Sequence, residues 1–141
     1  CCAVMDFDIL NDKNKFKRVL KCFECDPSGR LSQIAQETRD AIECDAGKPE
    51  ETKLRYKRDP LMYLDKIENE VEELLDRCLE CGCLIVRTGE LETVFGEKVA
   101  YRSSKRAWLS EALDYLNHLE PGELTSLAIV SDLIKMLQVA K

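Results

Sequence analysis

The stretch Cys1-Cys2-Ala3-Val4-Met5-Asp6-Phe7-Asp8-Ile9-Leu10 decides the fold class. It is apolar as far as Asp6 and then acidic, the pattern of a buried parallel strand whose polar residues begin at its carboxyl edge. Asn11 and Asp12 follow with turn and N-cap chemistry. Phe16, Val19, Leu20 and Phe23 then recur at helical spacing, which predicts a helix over about 12–25. A strand running straight into a helix opens an α/β layering. Because that strand starts at the first residue, which is Cys1 and not Met, the chain reads as a piece of a longer protein.

Working outward, Asp26-Pro27-Ser28-Gly29 breaks the first helix. Leu31, Ile34, Thr38 and Ala41 or Ile42 mark a second amphipathic helix. The polar stretch 45–60, with two prolines, predicts a surface loop. A third helix is expected over about 61–79, where Leu64, Ile67, Val71, Leu74 and Cys78 form a narrow seam at spacings of three and four. That seam suits a neighbouring helix of the same chain or, as the alternative, a partner chain. Cys83-Leu84-Ile85-Val86-Arg87 is the second strand, so residues 28–80 form a helical insertion between two strands. Residues 96–104 read as loop, with Gly96 as a break and Ser103-Ser104 as a cap. Helices over about 105–119 and 124–138 complete the chain, with Leu109, Leu113 and Leu116 as one apolar stripe. Leu127, Val130, Leu133 or Ile134, and Leu137 form the other.

At 141 residues, with 45% hydrophobic and 34% charged, the chain has the profile of one globular domain with one core. No apolar run reaches the roughly 18 residues of a spanning helix, and no basic stretch precedes an apolar one at the N-terminus. Those absences, with eight cysteines below the density of a disulfide scaffold, predict free thiols in a reducing cytoplasm. The net charge of −6 argues against a nucleic-acid binder that works by basic patches alone. It leaves room for an enzyme that meets phosphates through divalent cations, since such a site must itself be acidic.

Asp6 and Asp8 stand two residues apart, so on an extended strand both carboxylates would project from one face. The carboxyl end of a parallel strand is where α/β proteins place ligands. Paired carboxylates repel unless a cation neutralises them, and hard oxygen ligands suit Mg²⁺ or Mn²⁺. The plain alternative is that these acids open a loop and cap the next helix. Gly89-Glu90-Leu91-Glu92 repeats the arrangement after the second strand, so Asp6, Asp8 and Glu90 are expected to converge if the strands are parallel neighbours. Equally, Glu90 and Glu92 suit the first turn of a short helix.

These phrases carry a resemblance. VMDFDILND followed by KNKFKRVL is similar to the Asp-x-Asp strand and following helix of TOPRIM domains in the OLD family of ATP-dependent endonucleases. LIVRTGELETVF resembles that family's next strand and acidic turn, and SSKRAWLSEALDYLN its Lys- and Trp-containing helix start. The two ends of the chain carry the likeness; the middle matches only in length and helical character. The resemblance implies a partial TOPRIM-like parallel sheet and a two-metal endonuclease acting on DNA, with Asp6 and Asp8 on one Mg²⁺ or Mn²⁺ and Glu90, with Glu92, on the second. It implies Lys105 as the cation that steadies the phosphate, ahead of Arg106 and Lys98. It further implies an ATPase domain and homo-oligomer formation in the complete protein, and a role in phage defence. The family's metal-binding Glu lies on a strand upstream of the Asp-x-Asp strand, and the sequence here has no phosphate-binding Gly-x-x-x-x-Gly-Lys-Ser/Thr loop.

Other constellations compete with this one. Cys22 and Cys25, with Cys78 and Cys81, form two Cys-x-x-Cys pairs, formally a four-thiolate zinc pattern, although Cys22 and Cys78 occupy helical positions that suit small apolar residues. Cys2 and Cys83 are expected to pack in strands, and His118, the sole histidine, on an exposed helix position. The basic run Lys53 to Arg58 could meet a phosphate backbone or be a solvated loop. Two competing functions are a haloacid-dehalogenase-type phosphatase using Asp6 and Asp8, and a non-catalytic helical module that binds through the Leu64 to Cys78 seam.

Overall fold

A computed structural model describes residues 2–44, 46–95, 98–99 and 105–139. It has an α/β architecture, mainly helical around a small sheet. Strands β1 (Ala3–Met5) and β2 (Cys83–Ile85) pair in parallel, with Ala3 opposite Cys83, Val4 opposite Leu84 and Met5 opposite Ile85. Between them run α1 (Lys13–Phe23), α2 (Arg30–Glu43), α3 (Pro49–Lys57) and α4 (Glu68–Glu80). After β2 come α5 (Lys105–Asn117), α6 (Pro121–Ser126) and α7 (Ala128–Val139).

The period-two alternation of β2 explains the layering. Cys83 and Ile85 point into the main core, with Phe7, Phe16, Leu20, Ile34, Ile42, Val71 and Leu74 from the inserted helices and turns. Leu84 points the other way, to Leu79, Met136, Ile129 and Leu133 beneath α7. All three β2 residues are buried, as befits a parallel strand covered on both faces. Val4 shares Leu84's side of the sheet yet is 44% exposed.

Local chemistry fixes the helix ends. The Asp12 carboxylate accepts from the backbone N–H groups of Asn14 and Lys15 at 3.1 and 3.0 Å, starting α1. Asp26 accepts from Leu31 N, Ser32 N and Ser32 Oγ and anchors the start of α2. Of the seam, Leu64, Val71, Leu74 and Cys78 are at most 1% exposed and Ile67 is partly buried against the same core, in part facing α2. The seam is therefore not a free surface for a partner.

Four expectations need correction. The expected loop 45–60, whose first residue lies outside the described residues, holds a helix over Pro49–Lys57: Pro49 at the first turn, Glu50 and Glu51 behind it and Arg55 and Lys57 in the last turn complement the helix dipole and make α3. Only Tyr56 of that helix is buried, so it has no apolar stripe to reveal it. The third helix begins at Glu68, because Asp59 takes a left-handed conformation (φ 46°) and Pro60–Tyr63 and Asp65–Ile67 form tight 3-10 turns first. The last expected helix is two, broken at Leu127, whose backbone is extended. The leucine stripes hold only in part: Leu133 packs beneath the sheet and Leu116, Leu127 and Val130 are partly buried, but Leu109, Leu113, Ile134 and Leu137 are 50, 53, 42 and 61% exposed. Trp108, Ala112 and Tyr115 of α5 turn inward instead, because Phe95 offers ring contacts to Trp108 (5.9 Å, stacked) and Tyr115 (5.6 Å, edge-on). Most of the expected loop 96–104, with Gly96, Ser103 and Ser104, lies outside the described residues.

Candidate functional site

Sheet pairing ends at Met5, whose carbonyl accepts from Val86 N at 2.9 Å. The next residue, Asp6, is still extended (φ −66°, ψ 152°), but residues Phe7–Leu10 curl into a 3-10 turn that buries Phe7 and Leu10. The premise that Asp6 and Asp8 project from one face of a strand therefore fails, because the strand stops before either. Asp6 turns toward the end of β2, where its Oδ1 accepts from Leu91 N at 2.8 Å. Phe7 N donates to Gly89 O at 2.6 Å beside it. Asp8 is exposed and lines a surface hollow with Asn11, Asp12, Lys13 and Lys15.

The acidic turn after β2 sends its two glutamates in different directions. Glu90 is buried, and its Oε1 accepts from Lys57 Nζ of α3 at 2.5 Å. Glu92 lies in the 3-10 turn Leu91–Thr93, 6% exposed. Thr93 Oγ1 stitches the turn by donating toward Glu90 O at 2.6 Å and Thr88 O at 2.9 Å. Asp6 and Glu92 line one cavity of about 300 Å³, with Val4, Leu91, Trp108 and Leu109 as its apolar wall. Trp108 is 4% exposed, and its Nε1 has no hydrogen-bond partner among the described residues. Of the four expected acids, the structure thus gathers Asp6 and Glu92 on one cavity, gives Glu90 a lysine, and leaves Asp8 outside.

Lys105 opens α5, three residues before Trp108, but its side chain and that of Arg106 lie outside the described residues. Lys98 is exposed. His118 is exposed, its Nδ1 2.7 Å from Asp114 O. In the basic run, Arg55 spends its guanidinium on Ile42 O, Cys44 O and Glu51 and stands 4.8 Å over the Tyr63 ring. Together with the Lys57–Glu90 pair, this gives the run a structural job.

The two Cys-x-x-Cys pairs do not meet as four. Cys22 is exposed on α1, while Cys25, Cys78 and Cys83 share the main core with Cys81 packed against it. Cys2, expected to pack with its strand, is exposed because it precedes the paired residues of β1. Burial, with the neighbouring Cys81 and Cys83 thiols adding to it, pushes Cys25 up to about 12. Burial likewise pushes Cys83 up to about 11 and Cys78 higher still. They are protonated thiols packed as small apolar groups. Among the described residues no group of three or more His, Cys, Asp or Glu is arranged to hold a metal ion, and no helix is long and apolar enough to cross a membrane.

No protein-family model, curated protein or solved structure matches the chain. What the cavity can do rests on its own chemistry. Two carboxylates beside an apolar wall attract a hard cation, and Mg²⁺ keeps most of its water and asks a protein for only one or two carboxylates. Asp6 and Glu92 are the two carboxylates on this cavity that could serve one such ion. The described residues supply no comparable set for a second.

Proposed function

We propose that the chain carries the metal-binding part of a Mg²⁺- or Mn²⁺-dependent phosphodiester hydrolase of the TOPRIM type, an endonuclease acting on DNA. The observation that carries this reading is the shared cavity of Asp6 and Glu92 at the carboxyl ends of two adjacent parallel strands. In this reading Asp6 and Glu92 hold one divalent ion, which would polarise a phosphoryl oxygen and lower the pKa of a bound water. Leu91 N fixes the Asp6 carboxylate through its 2.8 Å hydrogen bond, so the ligand is oriented before the ion arrives. Trp108, 4% exposed, keeps bulk water from one side, where a low dielectric strengthens the attraction of the carboxylates for the cation. Lys57 neutralises Glu90, so that acid does not compete for the ion. The homo-oligomeric, ATP-regulated defence protein that the resemblance implies belongs to the same proposal.

The competing functions gain nothing from these arrangements. A phosphatase needs Asp6 and Asp8 side by side, and only Asp6 lines the cavity. The helical seam of an interaction module is buried within the chain. The test is Mn²⁺ binding, read by electron paramagnetic resonance on the full chain. Asp6→Asn and Glu92→Gln should each weaken binding at least tenfold, while Asp8→Asn and Glu90→Gln leave it within about twofold. Equal Mn²⁺ affinity in the wild type and the Asp6→Asn/Glu92→Gln double variant removes the metal site and the hydrolase with it.

A further inference from the structure

Charge on this chain is unevenly placed. Its net charge is −6, yet α1 reads KNKFKRVLKCF, with Lys13, Lys15, Lys17, Arg18 and Lys21 and no acid at all. Lys13, Lys17 and Lys21 recur every fourth residue, so they stand in a row at intervals of about 6 Å along the helix. Among the described residues Lys13, Lys17, Arg18 and Lys21 form no ion pair; only Lys15 does, with Asp12 at 3.3 Å. A single-sign face of this kind is where an acidic protein keeps a local positive potential.

Beside this face, α1 and α2 enclose a groove of about 290 Å³. Lys13 and Lys17 stand on one wall, Gln33 and Gln36 on the other, and Arg39 also lines it. Arg39 is 7% exposed. Its Nη1 donates to Leu10 O at 2.7 Å and its Nη2 to Gln36 Oε1 at 3.0 Å, both neutral acceptors. Among the described residues it has no carboxylate partner. A buried guanidinium without an acid keeps its charge at a desolvation cost, and its planar fork retains donors for an anion. Of the acids on α2, Glu37 and Asp40 accept from the amides of Gln33 and Gln36 at 2.8 Å, and Glu43, four residues past Arg39, forms no ion pair with it among the described residues.

We propose that the α1–α2 groove is a phosphate-binding site, with the phosphate forked by Arg39 and flanked by Lys13 and Lys17. The ligand is a nucleic-acid strand laid along the lysine row of α1. Three features select a strand over an isolated anion: the row continues past the groove to Lys21, Arg18 adds a further cation, and no acid interrupts the helix. The contacts are to the backbone, so binding is insensitive to base sequence. The inference goes beyond the proposed metal chemistry and does not depend on it, since no residue is shared between the two sites.

The test is fluorescence anisotropy of a labelled single-stranded oligonucleotide with the full chain, in EDTA so that no divalent ion contributes. Wild-type binding should weaken with salt, and Lys13→Gln/Lys17→Gln should lower affinity at least tenfold near 0.1 M salt. The slope of log affinity against log salt should fall by about two, one for each phosphate contact removed. Lys48→Gln/Lys66→Gln, which removes the same charge from exposed positions elsewhere, should change affinity less than twofold. Arg39→Gln should abolish binding in a chain whose circular dichroism is unchanged; if that variant unfolds, the comparison of the two lysine pairs decides. The Asp6→Asn/Glu92→Gln variant should bind the oligonucleotide like the wild type, which separates failure of this site from failure of the metal site. Equal losses in the two lysine pairs, or no binding at all, overturn the proposal. Competition by inorganic phosphate at millimolar level supports the groove, whereas phosphate binding without oligonucleotide binding overturns the assignment to a strand.

Discussion

Replacing Gly89 with alanine should destabilise the chain far more than the same change at Gly29, although both glycines have positive φ. Gly29, the N-cap of α2, has φ 78° and open space where a Cβ would go. Its change to alanine meets only the left-handed backbone penalty of roughly 1–2 kcal/mol, offset in part by about 0.4–1 kcal/mol from a stiffer unfolded chain. The net is roughly 0 to 1.6 kcal/mol. Gly89 has φ 103°, and an added Cβ would fall well inside 3.0 Å of the Lys57 carbonyl and at 3.0 Å from Arg58 N. Those are backbone atoms and cannot rotate away. Relief requires α3 to part from the end of β2, which breaks the Arg58–Gly89 bridge with its Glu90 N to Lys57 O (3.2 Å) and Asp59 N to Thr88 O (3.3 Å) hydrogen bonds. At about 1 kcal/mol each, plus the backbone penalty and a loosened Lys57–Glu90 pair, the total is about 3–4 kcal/mol. Urea unfolding followed by the fluorescence of Trp108, the sole tryptophan, and by far-ultraviolet circular dichroism reads the difference. With a slope of about 2 kcal/mol per molar urea, the Gly89→Ala midpoint should lie about 1–1.5 M below that of Gly29→Ala. Midpoints within about 0.3 M of each other would refute the close approach of α3 to the acidic turn.

Leu74→Ala, at a fully buried position in the main core, should cost about 2–5 kcal/mol, while Leu137→Ala, 61% exposed, should stay within about 0.5 kcal/mol; paired urea curves decide, and a costly Leu137 would show that α7 is turned the other way. Ellman's reagent on the native protein should modify Cys2, Cys22 and Cys44 within minutes and leave Cys25, Cys78 and Cys83 untouched until denaturant is added; peptide mapping that finds Cys78 among the fast sites would contradict the core. Those three thiols also set an alkaline limit. Their folded values lie above the ordinary 9.0, so the stability they contribute is complete below pH 9 and is lost as pH rises toward about 11 for Cys83 and about 12 for Cys25. Each should remove about 1.4 kcal/mol per pH unit over its interval, and a Cys25→Ala/Cys83→Ala variant should show a shallower fall in urea midpoint between pH 9 and 10.5 than the wild type.

Much of the fold was legible because its signals are local and strong. The apolar run into Asp6, the Asp12 cap and the seam from Leu64 to Cys78 led to β1, α1 and α4, and the two strands are the parallel neighbours that the layering required. The failures came where periodicity is silent or ambiguous. Helix α3 buries only Tyr56, so its evidence lay in Pro49 and its end charges and not in any apolar spacing. On α5 two stripes compete one position apart, Leu109 with Leu113 and Trp108 with Ala112. Spacing alone cannot choose between them; the Phe95 ring, distant in register, does.

The candidate site inherits both the success and the failure. Placing Asp6 beside the turn after β2 required only that the strands be parallel and adjacent, and that much followed from their apolar character. Which acids face the cavity depended on two features that sequence pattern did not expose. One is the length of β1: a longer strand would have carried Asp8 to the side of Asp6, but Phe7 and Leu10 gain more by curling into the core, and the 3-10 turn takes Asp8 away. The other is α3 itself. Read as a loop, residues 45–60 leave Glu90 nothing to meet, and an unmet buried carboxylate would have to find a cation. With Pro49–Lys57 folded as a helix, Lys57 Nζ comes to 2.5 Å from it. The cation that Glu90 meets is thus built into the chain, and Asp6 and Glu92 are the two acids that line the cavity.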